Sequence, residues 1–143
     1  MMISTRGRYA LRVMIDLAEH QSEGYIPLKE IAEREEISEK YLESILKALV
    51  KGGILTGLRG KGGGYRLNQP PEQCTVGSIL RLTEGSLAPV SCLDKKPIQC
   101  ERASECRTLP MWQKLDTLIN EFFDGITVAD LARPAEAGND FVI

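Results

Sequence analysis

Three cysteines, Cys92, Cys100 and Cys106, stand in one stretch of the chain, separated by seven and five residues. Thiolates at this density ligate soft metals or take part in redox chemistry. A structural zinc site ordinarily includes a tight Cys-x₂₋₄-Cys pair. This stretch has none, which disfavours zinc. Lys95, Lys96, Arg102 and Arg107 lie beside the thiols and would offset the net negative charge of a thiolate-held iron–sulfur cluster. Three unligated, redox-active thiols fit the same residues, and spacing alone does not separate the two. Cys74 stands apart, after a Pro-Pro pair, and reads as a packing cysteine. His20, the only histidine, reads as a helix-end residue.

A second chemistry is carried by Ile54 to Leu67, ILTGLRGKGGGYRL. Two short strand-forming runs flank Gly57, Gly60, Gly62, Gly63 and Gly64, with Arg59 and Lys61 at the tip. Glycine supplies the left-handed angles of a tight hairpin and lets backbone approach a partner closely. A phosphate-cradling nucleotide loop is disfavoured, because Gly-x-x-x-x-Gly-Lys needs a following Ser or Thr. Here Gly62 follows Lys61, and Leu55 stands where the first glycine should be. The chain also lacks a Cys-x-x-Cys pair, a nucleophile–base pairing and a dinucleotide fingerprint, all of which argues against an enzyme.

The elements that position these residues follow from periodicity and capping. In 143 residues there is room for one domain, or a small domain with an appendage. No apolar run approaches the roughly 18 residues of a membrane span, and the start lacks signal-peptide features, so a cytoplasmic protein without membrane contact is expected. Ala10, Val13, Met14, Leu17 and Ala18 repeat at helical spacing in a first helix from about Ser4 to His20. Arg6, Arg8 and Arg12 lie in its first half, where they could touch a DNA backbone. A second helix runs from Leu28 to about Glu35, with Leu28, Ile31 and Ala32 inward. Ser38 caps a third from Glu39 to Lys51, stopped by Gly52-Gly53. Helix, turn, helix, then hairpin is the order of a winged helix-turn-helix.

Charge distribution supports that reading. The net charge is −2, yet from Ser38 to Arg66 six cations face two anions, a local +4, and from Asn68 to Ile143 seven face eleven, a local −4. A basic patch suffices for phosphate contact on an acidic molecule. On the third helix Tyr41, Leu42, Ile45, Leu46, Leu49 and Val50 form the inward stripe. Lys40, Glu43, Ser44 and Lys47 fall opposite, where the lysines could meet phosphate or guanine and Glu43 a cytosine amino group.

Beyond the hairpin, Thr75 caps a helix over Val76 to Glu84, with Val76, Ile79, Leu80 and Leu82 apolar. The loop from Ser86 to Arg107 carries the three cysteines, and a loop of that length usually has a function. Thr108 is expected to cap a long helix to about Gly125, whose broad apolar face (Met111, Trp112, Leu115, Leu118, Ile119, Phe122, Phe123) one chain leaves uncovered. A homodimer follows. Thr127 to Asp130 reads as one further capped turn, and the tail from Arg133 as disordered. The expected layout is a mainly α, winged helix-turn-helix DNA-binding domain over 1–67, a linker helix and cysteine loop over 68–107, a dimerisation helix and short turn over 108–132, and the tail.

Four motifs together carry a resemblance: Ser4-Thr5-Arg6-Gly7-Arg8-Tyr9-Ala10, Ile37-Ser38…Tyr41-Leu42-Glu43, Arg59-Gly60-Lys61-Gly62-Gly63-Gly64-Tyr65, and Cys92…Cys100…Cys106…Trp112. From residue 2 to about 132 the chain resembles the bacterial winged-helix transcription regulators that include IscR, NsrR and CymR. The resemblance implies a homodimeric repressor on a pseudo-palindromic double-stranded DNA operator, as at iron–sulfur cluster assembly genes. The third helix would enter the major groove and Arg59 the minor groove. Arg6, Ser38, Lys40, Tyr41, Glu43, Ser44, Lys47, Arg59, Gly60 and Lys61 would form the DNA-binding set. Cys92, Cys100 and Cys106 match the positions that hold a [2Fe-2S] cluster in IscR-like members, with two extra residues in the first gap. Where IscR has a histidine ligand this chain has Leu109, and where NsrR has an aspartate ligand it has Arg8. The fourth ligand is therefore open among Glu43, Asp94, Glu101, Glu105 and His20, which keeps [4Fe-4S] in play. CymR-like members imply a cluster-free alternative that senses thiol oxidation or a cysteine-metabolism partner.

Overall fold

A computed structural model describes residues 2–95 and 97–132; the tail expected to be disordered lies outside the described residues. Six α-helices and one hairpin make up the described chain: α1 (Thr5–Glu19), α2 (Leu28–Glu35), α3 (Glu39–Lys51), β1 (Leu55–Leu58), β2 (Gly64–Leu67), α4 (Val76–Glu84), α5 (Leu109–Asp124) and α6 (Val128–Leu131). The mainly helical winged arrangement expected from the sequence is the one observed. No described helix is long and apolar enough to cross a membrane.

Local chemistry sets most boundaries. The Ser4 hydroxyl accepts from the Gly7 amide and opens α1, and Ser38 does the same for α3 through the Tyr41 amide. Thr75 caps α4 through Ser78, and Thr127 with Asp130 forms a reciprocal capping box on α6. Thr108 departs from expectation. Its backbone is already helical, at φ −93° and ψ −15°, and its side chain makes no capping bond. A capping hydroxyl needs an extended backbone to reach back to the first turn.

The core is built where α1, α2 and α3 meet. Ala10, Val13, Met14 and Leu17 of α1 pack with Ile31, Leu42, Ile45, Leu46 and Leu49, all essentially solvent-free. Cys74, Ile79 and Val128 join the same cluster, so α4 and α6 close over α1. Cys74 is a buried thiol, and that burial raises its pKa. Under this core a polar clamp fixes α2 on α1: Arg34 donates from Nε and Nη2 to the Asp16 carboxylate at 2.8 and 2.9 Å. A smaller cluster of Val76, Leu80 and Leu87 seats Ile119 and Phe123 of α5. On the other side of α5, Met111, Leu115, Leu118 and Phe122 are exposed.

The hairpin is antiparallel, pairing Leu55 with Leu67 and Leu58 with Gly64. A third segment touches it at one point. Ile26 and Tyr65 exchange both backbone hydrogen bonds at 2.9 Å, which ties the wing to the connection before α2.

Candidate nucleic-acid interface and cysteine loop

On α3, Ser38, Lys40, Glu43 and Lys47 are exposed, while Tyr41 and Ser44 are half-buried. Glu43 and Lys47 lie one turn apart, 3.7 Å between charges. Tyr41 packs edge-on against Tyr9, with ring centroids 5.9 Å apart, so most of its ring serves the α1–α3 contact. At the wing, Arg59, Gly60 and Lys61 are all exposed. Gly60 and Gly62 take φ of +92° and +78°, left-handed angles that a side chain disfavours. The Gly63 amide closes the turn on the Gly60 carbonyl at 3.0 Å.

The two surfaces meet. Glu43, Lys47, Val50 and Lys51 of α3 and Gly57, Leu58, Arg59 and Tyr65 of the hairpin line one groove of about 350 Å³. Leu58 was not singled out from the sequence, yet it is 49% exposed next to Arg59. Strict alternation from buried Leu55 would have turned it outward.

The α1 arginines fare differently from one another. Arg6 is directed at α3, donating to the Ser44 hydroxyl at 3.2 Å and to its carbonyl at 3.0 Å. Arg12 pairs with Glu35 at 3.2 Å and lies over the Tyr9 ring. Arg8 donates to the exposed Thr5 hydroxyl and stays on the surface. Arg66, counted in the basic patch, stacks over Tyr25 at 4.7 Å. The sequence carries no signal for that pairing, because the two residues are brought together only by the wing's tie at Ile26.

The cysteine loop leaves α4 at Gly85 and rejoins the fold at α5. Leu93 is buried and anchors its first half, and the Ser86 hydroxyl donates to Asp94 at 2.9 Å. Pro97 and Ile98 face Gln113, Asp116 and Thr117 across a cavity beside α5. Cys92 and Cys106 are half-buried, Cys100 is exposed, and all are free thiols. The Thr108 hydroxyl, 3.4 Å from the Cys106 sulfur, lowers that thiol's pKa by stabilising the thiolate. Among the described residues no group of three or more His, Cys, Asp or Glu side chains is gathered tightly enough to hold a metal ion.

By donor chemistry the three thiols nevertheless fit an iron–sulfur cluster: they share one loop, none is fully buried, and none is committed to a disulfide. Leu109 is buried and offers no ligand. Of the five expected candidates for a fourth ligand, three have other partners. His20 Nδ1 is 2.7 Å from the Asp16 carbonyl, Glu43 pairs with Lys47, and Asp94 accepts from Ser86. Glu101 and Glu105 are exposed within the loop itself.

Comparison with known proteins places this architecture. The family described as Rrf2, iron-dependent transcriptional regulator, matches residues 3–134. The HTH-type transcriptional regulator IscR of Aliivibrio salmonicida is 37% identical over 131 residues, covering 92% of this chain and 77% of that protein. Among solved structures, the global cysteine regulator CymR of B. subtilis superposes with a TM-score of 0.74 at 37% identity, covering 92% of this chain and 96% of that one. The T. potens IscR structure gives 0.72 at 33% identity, over all of this chain and 93% of the other.

Proposed function

The chain belongs to the Rrf2 family of iron-dependent transcriptional regulators and is thus a DNA-binding regulator and not an enzyme; from that membership we propose that it is a homodimeric repressor whose operator binding is set by an iron–sulfur cluster on its cysteine loop. The observation that carries the DNA half is the groove shared by the polar face of α3 and the wing tip. In this reading α3 enters the major groove, with Lys40, Glu43 and Lys47 facing base edges and phosphates. Arg59, with Gly60 and Lys61, enters the adjacent minor groove. The exposed apolar stripe on α5 supports a twofold mate, and a twofold protein reads a pseudo-palindromic site. It acts in the cytoplasm with its DNA.

Cys92, Cys100 and Cys106 would hold the cluster, [2Fe-2S] in preference to [4Fe-4S]. A bound cluster would make the loop responsive to iron supply and oxidation, which suits control of iron–sulfur cluster assembly genes. Glu101 and Glu105 are the loop oxygens nearest in sequence for the fourth position. The loop joins α4 to α5, so a change in its order reaches the helix that packs on α1 and the helix with the exposed stripe.

The test begins with anaerobic purification. A coloured protein with stoichiometric iron and sulfide is expected, and colour should fall similarly in Cys92→Ala, Cys100→Ala and Cys106→Ala. A colourless protein that iron and sulfide cannot reconstitute would sink the cluster half and leave the DNA half standing. A second reading is favoured by the likeness to CymR: a cluster-free regulator answering thiol oxidation or a cysteine-metabolism partner. A regulatory defect confined to one cysteine variant would support it.

For the DNA half, a duplex enriched by the protein from a randomised pool serves as ligand. Arg59→Ala should weaken its binding by about 1–3 kcal/mol, the worth of a groove-inserted arginine. Unchanged affinity at moderate salt would count against a wing in the minor groove. Substitutions at Lys40 or Glu43 should alter which sequence is enriched; a uniform loss on all sequences would mean that α3 only grips backbone.

A further inference from the structure

The last turn of α4 contacts three different elements, and each contact is seated on a glycine. Arg81 donates to both carboxylate oxygens of Asp124 on α5 at 2.9 Å and to Asn120 at 2.7 Å. A Cβ on Gly77 would lie 2.0 Å from Asp124 Oδ1. Leu82 lies over Gly52 at the C-terminal end of α3, where a Cβ would fall 2.4 Å from its Cδ1. Glu84 accepts from the Ser4 amide at 2.9 Å and the Ser4 hydroxyl at 2.8 Å. Its Oε1 is 2.3 Å from where a Cβ on Gly7 would stand.

These contacts converge on α3. Ser4 caps α1, and two residues later Arg6 holds the hydroxyl and carbonyl of Ser44 near the middle of α3. Helix α4 therefore bears on α3 twice, directly at its C-terminal end through Leu82 and at its middle through Glu84, Ser4 and Arg6. The residue after Glu84 is Gly85, at φ +80°, where the cysteine loop begins. The atoms over these glycines are side-chain ends, so the coupling is carried chiefly by the charged hydrogen bonds of Arg81 and Glu84, which are directional. A shift of α4 thus moves its neighbours as a unit.

We propose that the last turn of α4 is the positioning joint that sets α3 against α5 and the cysteine loop, with Glu84 acting on α3 through Ser4 and Arg6. This inference rests on the reading of α3 as the recognition helix. In this scheme Glu84 and Leu82 act on recognition only by holding α3.

The experiment uses the full chain as wild type, Glu84→Ala, Glu84→Gln, Gly7→Ala, Arg6→Ala and the double variant Glu84→Ala with Arg6→Ala. The probes are the duplex enriched by the wild type and a scrambled duplex of equal length. Glu84→Ala and Gly7→Ala should each lower the ratio of enriched to scrambled affinity by about tenfold, a size typical of coupling between sites. The salt dependence should be unchanged, because no phosphate contact is removed. Glu84→Gln, which keeps an acceptor without the charge, should fall between. Gly7→Ala is the informative variant, since alanine favours helix over glycine. A purely structural clamp would lower thermal midpoints and leave the ratio alone, which would overturn the proposal. The double variant should be no worse than the weaker-binding single, and additive losses would also overturn it. Hydrogen exchange decides the matter without DNA. In Glu84→Ala, amides of residues 39–51 should exchange faster while those of 55–67 do not. Should the wild type enrich no sequence, the recognition reading fails on its own; unchanged exchange in α3 would separately defeat the joint.

Discussion

Gly64→Ala is expected to detach the wing from the body of the protein at a cost on the order of 3 kcal/mol. Two terms combine. Gly64 sits at φ +151°, where a side chain is strained by about 1–3 kcal/mol. A Cβ there would also fall 2.2 Å from the Ile26 carbonyl oxygen and 2.8 Å from the Pro27 nitrogen. Both are backbone atoms and cannot rotate away. Relief requires breaking the paired Ile26–Tyr65 hydrogen bonds, each worth about 1 kcal/mol. Gly60→Ala is the control. It shares a positive φ, but nothing lies within 4 Å of its Cβ position, so only the conformational cost of about 1–2 kcal/mol applies. Denaturant unfolding of both variants checks the difference, with hydrogen exchange at residues 55–67 reporting wing release. Equal costs at the two positions would show that the contact with Ile26 does not secure the wing.

Asp16→Ala should be the other severe change, lowering stability by about 3 kcal/mol. The Asp16 side chain is 3% exposed and takes two charged hydrogen bonds from Arg34, which is 31% exposed. Truncation leaves a partly desolvated guanidinium without its main partner. The loss is held to the lower end of the range for buried pairs because Arg34 can reach water and has Glu30 at 3.8 Å. The comparison is Glu43→Ala. The Glu43–Lys47 pair is exposed on both sides, and such pairs contribute between nothing and about 1 kcal/mol. Thermal unfolding separates them. The Asp16 variant should melt roughly 10 °C lower, and a shift no larger than that of Glu43→Ala would mean that core packing alone fixes α2 on α1.

The helices were legible because their signals are local. Ser4, Ser38, Thr75 and Thr127 each cap a helix within the next three residues, and the apolar stripes of α1 and α3 repeat within a turn. The hairpin was legible from its glycines. Thr108 misled for an equally local reason: the residue type suited a cap, but its backbone angles did not, and its hydroxyl turned to Cys106 instead. The candidate DNA surface was legible in part. Lys40, Glu43, Lys47, Arg59 and Lys61 are exposed as expected, whereas Arg6 and Arg66 are turned to Ser44 and Tyr25. Nothing in their types distinguished these arginines from Arg59.

The sequence by itself determined the order of elements, most of their caps, the basic character of the α3–wing region and the placement of three cysteines in one loop. Those depend on rules that act over three or four residues, or on residue type alone. Only the tertiary structure decided which charged groups face solvent and which hold the fold. Asp16 and Arg34 are 18 residues apart, Arg6 and Ser44 38, Ser4 and Glu84 80. Pairings at such separations are set by how helices pack, because a side chain's partner is whatever the packed core brings within 3 Å of it. The glycines at 7, 52 and 77 belong to the same lesson. In the sequence they are merely small residues in or beside helices; in the fold they are the places where α4 comes close enough to hold α1, α3 and α5 together.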